Sequence, residues 1–350
     1  MATLRAMRQP RLKAPQEWPV GYYHCVSRVV DRRLAFDEED KRQFVKFMRL
    51  YEQLGQVRVI TYCVMANHFH ILLEVPAKPE TLPCEEELLA HISRCQGKGR
   101  AHMVREQIRH WRKIGAHEAA QKVIEGWLER MWDLSSFMKT LKQRFTQWHN
   151  KRYGRRGTLW EDRFHSTIVE GGGGAQALSM VGAYIDLNPV RAGLVNDPKD
   201  YLWSGYGAAV AGVKAAVRGV EAMMEHAGKT PPKGNRALEQ YRVGLYGTAD
   251  AGDERTQRLQ VETGRRGVDR RQVEEVRAEG GRLSRREMLR CRVRYFSAGA
   301  VIGSRGFVNE VFEAKRERFG LKRKEGAHPM RGADFGGLCT LRDLRLEVIT

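Results

Sequence analysis

Apolar positions change their period several times along the chain, and each change predicts an element. Residues 21–30, GYYHCVSRVV, are aromatic and β-branched and predict a first strand. From Asp37 the stretch DEEDKRQFVKFMRLYEQLG spaces Phe44, Phe47, Met48, Tyr51 and Leu54 at helical intervals. That predicts a helix with Asp37 as N-cap and Gly55 as its stop. QVRVITYCV (56–64) reads as a strand, and a turn at Met65, Ala66 and Asn67 joins it to HFHILLEV (68–75) as a hairpin. PCEEELLAHISRCQ is helical in pattern, and the charged stretch 98–130 predicts a helical insertion. DLSSFMKTLKQRFTQWHNKRYG (133–154) is a long helix with Leu134, Phe137, Leu141 and Phe145 on one stripe. TLWEDRFHSTIVE (158–170) alternates as a strand, with Trp160 and Phe164 expected to pack the sheet edge. AQALSMVGAYIDLN follows Gly171 to Gly174 as another helix, and the four glycines serve either as a hinge or as a loose loop.

Strand–helix–strand–strand–helix–strand is the order of a ferredoxin-like antiparallel sheet. The fold class expected is therefore α+β, with helices on one face of the sheet and the other face open. A C-terminal all-α helical domain is expected to follow. The divisions read as a basic N-terminal extension at 1–19, a main domain at 20–210 holding the 98–130 insertion, a linker and helical region at 211–281, and a basic helical piece at 282–350. HAGKTPPKGNR and GTADAGDERTQ are the turn-rich stretches that mark the linker.

Charge narrows the function classes. The 350 residues hold 61 Lys and Arg against 42 Asp and Glu, a net charge of +19 with a pI near 9.9. Such an excess favours a polyanionic partner, above all nucleic acid, because each neutralised phosphate releases counterions. An anionic membrane surface is the competing partner, but no stretch approaches the roughly 18 to 20 apolar residues of a spanning helix. The basic opening MATLRAMRQPRLKAPQEWP lacks the apolar core of a secretory signal. Six scattered cysteines without a C-x-x-C pair argue against zinc ribbons and disulfide frameworks, and for a reducing cytoplasm.

Chemistry concentrates at NHFHILLEV. Side chains alternate along a strand, so His68, His70 and Leu72 share one face while Phe69, Ile71 and Leu73 share the other. Two neutral imidazoles spaced this way can hold one divalent ion and leave positions open for phosphate oxygens. The alternative is one histidine bonded to a backbone group and the other solvated. KTLKQRFTQWHNKRYGRRG interleaves Lys139, Lys142, Arg144, Lys151, Arg152, Arg155 and Arg156 with Phe145, Trp148 and Tyr153, which suits single-stranded or hairpin DNA. Phe145 is expected in the core. In 284–320, two helical patterns flank a break at Gly299 to Gly303. They read as a helix-turn-helix with 305–318 as recognition helix and Ser304, Arg305 and Asn309 as base-contacting candidates, or as a plain basic helical pair.

Four ordered segments, YYHCVSRVVDRRLAF, YCVMANHFHILLEV, KRYGRRGTLWEDRFHSTIVE and YIDLNPVRAGLV, resemble the single-tyrosine HUH transposases of the insertion-sequence 200 type. The last two are most similar to the REP-associated branch, whose members act on hairpin-forming repeated palindromes. The resemblance spans residues 20 to 210. It implies an HUH nuclease fold, His68 and His70 as ligands of Mg²⁺ or Mn²⁺, Asn188 completing the metal site, and Tyr184 as nucleophile forming a 5′-phosphotyrosine bond. Residues four apart share a helix face, which suits Tyr184 and Asn188, although Pro189 disfavours helix at Asn188. Arg28 would reach a phosphate, and Tyr153 is the rival nucleophile. Partners implied are single-stranded or hairpin DNA, with a monomer or homodimer and a cytoplasmic, nucleoid-associated setting. Relaxases and rolling-circle initiators share the motif but often carry a second tyrosine or third histidine. A catalytically silent DNA-binding regulator is the alternative from another class.

Overall fold

The structure, a computed structural model, describes residues 11–172, 176–225, 233–246 and 284–341. Gly173 and Gly174 of the glycine run, and the 247–281 stretch of the linker, lie outside the described residues. The first layer is β1 (Val20–Arg28), α1 (Glu38–Leu54), β2 (Arg58–Val64), β3 (His68–Pro76), α5 (Leu134–Arg152) and β4 (His165–Val169). Between β3 and α5 stand α2 (Glu85–Gln96), the helix expected from PCEEELLAHISRCQ, and then α3 (Lys98–Lys113) and α4 (His117–Leu128), which fill the stretch 98–130. The strands lie side by side as β2-β3-β1-β4, with β1 antiparallel to both β3 and β4. This is the ferredoxin-like order expected from the sequence.

Two local features set α1. Asp37 accepts from the Asp40 amide while the Asp40 carboxylate accepts from the Asp37 amide, a reciprocal cap at the helix start. Phe44, Met48, Tyr51 and Leu54 are buried, with Phe47 at the margin. Helix α5 buries Leu134, Phe137, Leu141 and Phe145, and Phe145 meets Phe44 edge-on at 5.1 Å. These residues pack on Phe69, Ile71 and Leu73, the half of the β3 alternation opposite His68 and His70.

The second face of the sheet is not open. Helices α6 (Ala177–Asp186), α8 (Gly205–Val210) and α9 (Lys214–Glu225) lie across β2 and β3, and α10 (Gly234–Tyr246) packs on α9. Ile60, Cys63, Leu72 and Val169 point into this second core and meet Val181, Ile185, Tyr206 and Val220. The expectation of helices on one face is corrected accordingly. Both faces of β2 are buried, and a doubly buried strand carries little alternation to read.

The C-terminal part holds the expected helices at Arg285–Arg290, Arg294–Ala298 and Arg305–Glu313, but it is not built of helices alone. Three short strands, β5 (Val301–Gly303), β6 (His328–Pro329) and β7 (Cys339–Thr340), extend the sheet beyond β4 in the order β4-β5-β7-β6. β5 runs parallel to β4, with Ile168 opposite Val301 and Val169 opposite Ile302. The helix-turn-helix reading is corrected by the same observation, because the break at 299–303 holds the sheet strand β5 where a turn between two helices is expected. Ser304 caps the following helix and also donates from its amide and hydroxyl to the Glu170 carboxylate. Asn309 accepts from the amides of Gly326 and Ala327. Neither side chain is offered to a base.

The strand expected over 158–170 is shortened to β4. Thr158 to Phe164 form an irregular approach in which Trp160 bridges to Val29 and donates its indole N–H to Thr146, while Trp160 and Phe164 are buried as expected.

Candidate functional site

β1 and β3 together assemble the site, because their register sets Arg28 opposite His68, Val26 opposite His70 and His24 opposite Leu72. His24, Arg28, His68 and His70 therefore share one face. The turn before β3 is pinned: Asn67 donates its side-chain amide to the Arg32 carbonyl, and Met65 donates its amide to the His68 carbonyl.

The hydrogen bonds determine each imidazole's tautomer. His24 Nδ1 lies 2.8 Å from the Phe296 carbonyl, which only accepts, so that nitrogen carries the proton. His24 Nε2 is then an acceptor, and at 2.9 Å it takes a hydrogen from His70 Nδ1. His70 is left with its lone pair on Nε2. His68 Nδ1 lies 2.7 Å from Asn67 Oδ1, whose amide nitrogen is already spent on Arg32, so His68 also keeps its lone pair on Nε2. Burial holds all three rings neutral. It lowers His24 to about 3 and His68 to about 4, and pushes His70 well below its ordinary value. Two neutral imidazoles presenting Nε2 from one strand face form a donor set that fits a divalent ion. Among the described residues no cluster of three His, Cys, Asp or Glu converges, so such a site would stay open to ligands from elsewhere.

Tyr184 on α6 stands beside this pair. Its ring meets His70 edge-on at 6.2 Å and His24 at 6.4 Å, and Phe296 lies 4.9 Å away on its other side. The ring is only 3% exposed. Arg191 lies with its guanidinium carbon 4.0 Å from the Tyr184 ring centroid and donates to the carbonyls of Tyr184 and Leu289. Arg191, Arg28 and Arg292 all bear on His68 electrostatically and lower its pKa. The sequence reading missed His24's role, Arg191 and Arg292. Arg191 had a signal, since it follows Tyr184 by seven residues, two helical turns. His24 and Arg292 had none, because strand pairing and the C-terminal fold bring them in.

Asn188 begins the short helix α7 (Asn188–Arg191), and its amide nitrogen reaches back to the carbonyls of Tyr184 and Ile185 at 3.4 and 3.2 Å. It engages the end of α6 and not an imidazole. Asp186, two residues earlier, faces away from the site. Its buried carboxylate accepts from Thr61 Oγ1 and Tyr241 Oη at 2.7 Å and from the Tyr206 amide at 3.2 Å, and burial raises its pKa to about 6.

The predicted DNA-contacting cations divide into groups. Arg152 pairs with Asp37 and Asp40 across the start of α1, and Lys142 donates to the Asp162 carbonyl beside the Trp160 ring. Both hold the fold together. Arg305 forms an exposed pair with Glu325. Arg144 bonds Tyr51 Oη and Gln147, while Lys151, Arg155 and Arg156 lie at or near the surface with no ion pair among the described residues. Tyr153 donates to Asp37 and Asp40, and desolvation together with those carboxylates pushes its hydroxyl pKa up. No described helix is long and apolar enough to cross a membrane.

Comparison with known proteins gives three findings. Residues 19–107 match the family model described as "Transposase IS200 like". A solved structure of a REP-associated tyrosine transposase bound to a REP hairpin covers 58% of this chain and 84% of its own, at 14% identity and a TM-score of 0.36, a likeness too low to carry an argument. No curated protein matches the chain.

Proposed function

We propose that this chain, whose residues 19–107 are similar to an IS200-like transposase, is a metal-dependent single-strand DNA transposase or endonuclease. It would cleave and rejoin DNA near hairpins through Tyr184, acting in the cytoplasm. The observation that carries the reading is the Tyr184 ring set edge-on against His70, beside two imidazoles whose lone pairs both sit on Nε2.

His68 and His70 would hold the ion, with Asn188 Oδ1 a further donor candidate and DNA phosphate oxygens filling open positions. Bound there, the ion would polarise the scissile phosphate and stabilise the departing 3′ oxygen. Imidazoles without carboxylates suit Mn²⁺ better than Mg²⁺, which prefers oxygen ligands. Arg28, Arg191 and Arg292 would attract and orient the phosphodiester. The Tyr184 oxygen bonds phosphorus as the bond to the 3′ oxygen breaks; the phenol gives up a proton and the 3′ oxygen takes one. The resulting 5′-phosphotyrosine keeps the ester's energy, so rejoining to another strand needs no ATP. Lys151, Arg155 and Arg156 would track the backbone outside the site.

The test is a denaturing gel of protein incubated with labelled hairpin-bearing single-stranded DNA and Mn²⁺. A covalent adduct is expected from wild type and from Tyr153→Phe, and none from Tyr184→Phe or His68→Ala. An adduct surviving Tyr184→Phe refutes the assignment, and binding without adduct under any metal favours a silent regulator.

A further inference from the structure

On the sheet face away from the imidazoles, a cleft of about 570 Å³ opens among α1, α2, α3, α4 and α5. Its composition is unusual for a surface hollow. Its lining includes the apolar Leu54, Phe137 and Trp127, the cationic Arg100, Arg130 and Arg144, and the hydroxyl residues Ser136 and Thr140. The lining contains no carboxylate. Glu52 is engaged with Arg49 and the Val59 amide, and Asp133 with Lys13 and the Ser136 amide. Among the described residues no ion pair involves Arg100, Arg130 or Arg144.

All three guanidiniums are held in place in advance. Arg100 and Arg130 lie over the Trp127 ring at 5.6 and 4.6 Å from its centroid, and Arg144 is tethered to Tyr51 Oη at 3.1 Å. Stacked or tethered guanidiniums lose less freedom when they bind, so three of them around one hollow form a preorganised anion site. The volume lies within the range of small-ligand pockets.

We propose that this cleft binds a nucleotide unit, with the phosphate among the three arginines and the base in the remaining volume of the hollow. The inference does not rest on Tyr184 or the imidazoles, so it stands or falls separately from the proposed strand cleavage. The unit has two possible sources, a free nucleotide or one nucleotide of a bound strand passing round the molecule from the opposite face.

Both sources are tested on the intact chain carrying Tyr184→Phe, which rules out adduct formation through Tyr184. One arm titrates deoxyadenosine monophosphate by calorimetry, and the other follows a labelled single-stranded dodecanucleotide by fluorescence anisotropy at fixed salt. Each is repeated with Arg100→Gln/Arg130→Gln and with Thr140→Trp, which fills the cleft while keeping its charge; circular dichroism checks folding. The proposal expects both variants to weaken the same arm by about tenfold or more, as loss of charge-assisted hydrogen bonds predicts. Weakening of the mononucleotide arm identifies a free ligand, and weakening of the oligonucleotide arm alone identifies a strand. Weakening by the arginine changes without any effect of Thr140→Trp would reduce the site to general positive field and overturn the proposal, as would no effect in either arm.

Discussion

His24 is the residue whose meaning changes most between sequence and structure. It carries no motif, yet it fixes the proton on His70 Nδ1 and so decides that the lone pair lies on Nε2. At the proposed metal site, replacing it should act on ion binding through His70. His24→Phe is expected to weaken Mn²⁺ binding by about 10- to 100-fold, the range for partners that orient metal-ligating histidines. His24→Gln, able to accept from His70 and donate to Phe296, should retain most of the affinity; equal losses in calorimetric titrations of both variants would contradict the relay. Asp186 gives a prediction of opposite character. Its folded pKa of about 6 lies above the ordinary 3.8, so the folded state keeps a proton that the unfolded chain releases. Its stabilising contribution is full below 3.8, is lost as pH rises to 6, and is constant above. The stability difference between wild type and Asp186→Asn should therefore shift against wild type by roughly 3 kcal/mol from pH 3.8 to 6. Denaturant unfolding of both proteins across that interval measures it, and a flat difference would show that Asp186 titrates normally.

At the level of elements, helix α9 tests the covered second face of the sheet. A Cβ added at Gly219 would stand 1.9 Å from the Ile60 carbonyl oxygen, so α9 lies on β2 only because this position has no side chain. Gly219→Ala should destabilise the protein by about 1–3 kcal/mol, as overpacking does, despite alanine's better helix propensity. Gly244→Ala meets nothing within 4 Å and serves as the control; equal melting temperatures for the two would refute the close approach. The helices most legible in the sequence, α1 and α5, bury one stripe each and carry capping side chains at Asp37 and Asp133. The strand at 301–303 was misread because three residues between helices leave no period to detect. Its identity comes from pairing with β4.

For the whole molecule, the net charge of +19 predicts DNA binding that weakens steeply with salt, with a log–log slope of about −0.7 per phosphate contacted on a single strand. Exposed cations set that slope. Lys151→Gln/Arg156→Gln should reduce its magnitude by about one to two, whereas Lys142→Gln should lower stability and leave it unchanged. Anisotropy titrations at several salt concentrations check this, and an equal change of slope in both variants would contradict the division. Composition alone counts charges without distinguishing these groups, because Arg152 and Lys142 look like any other cation until Asp37 and the Asp162 carbonyl are seen beside them.

By itself the sequence determined the ferredoxin-like strand order, the facing of His68 and His70 and the stripes of α1 and α5. The order follows from the sequence of elements, the facing from the period of 2 along a strand, and the stripes from the period of 3.6 along a helix. Only the tertiary structure decided that the second face is covered, that His24, Arg191 and Arg292 join the site, and that the C-terminal segment completes the sheet. Those outcomes depend on groups far apart in the chain, such as His24 and Phe296, which meet through packing and pairing that no local pattern encodes.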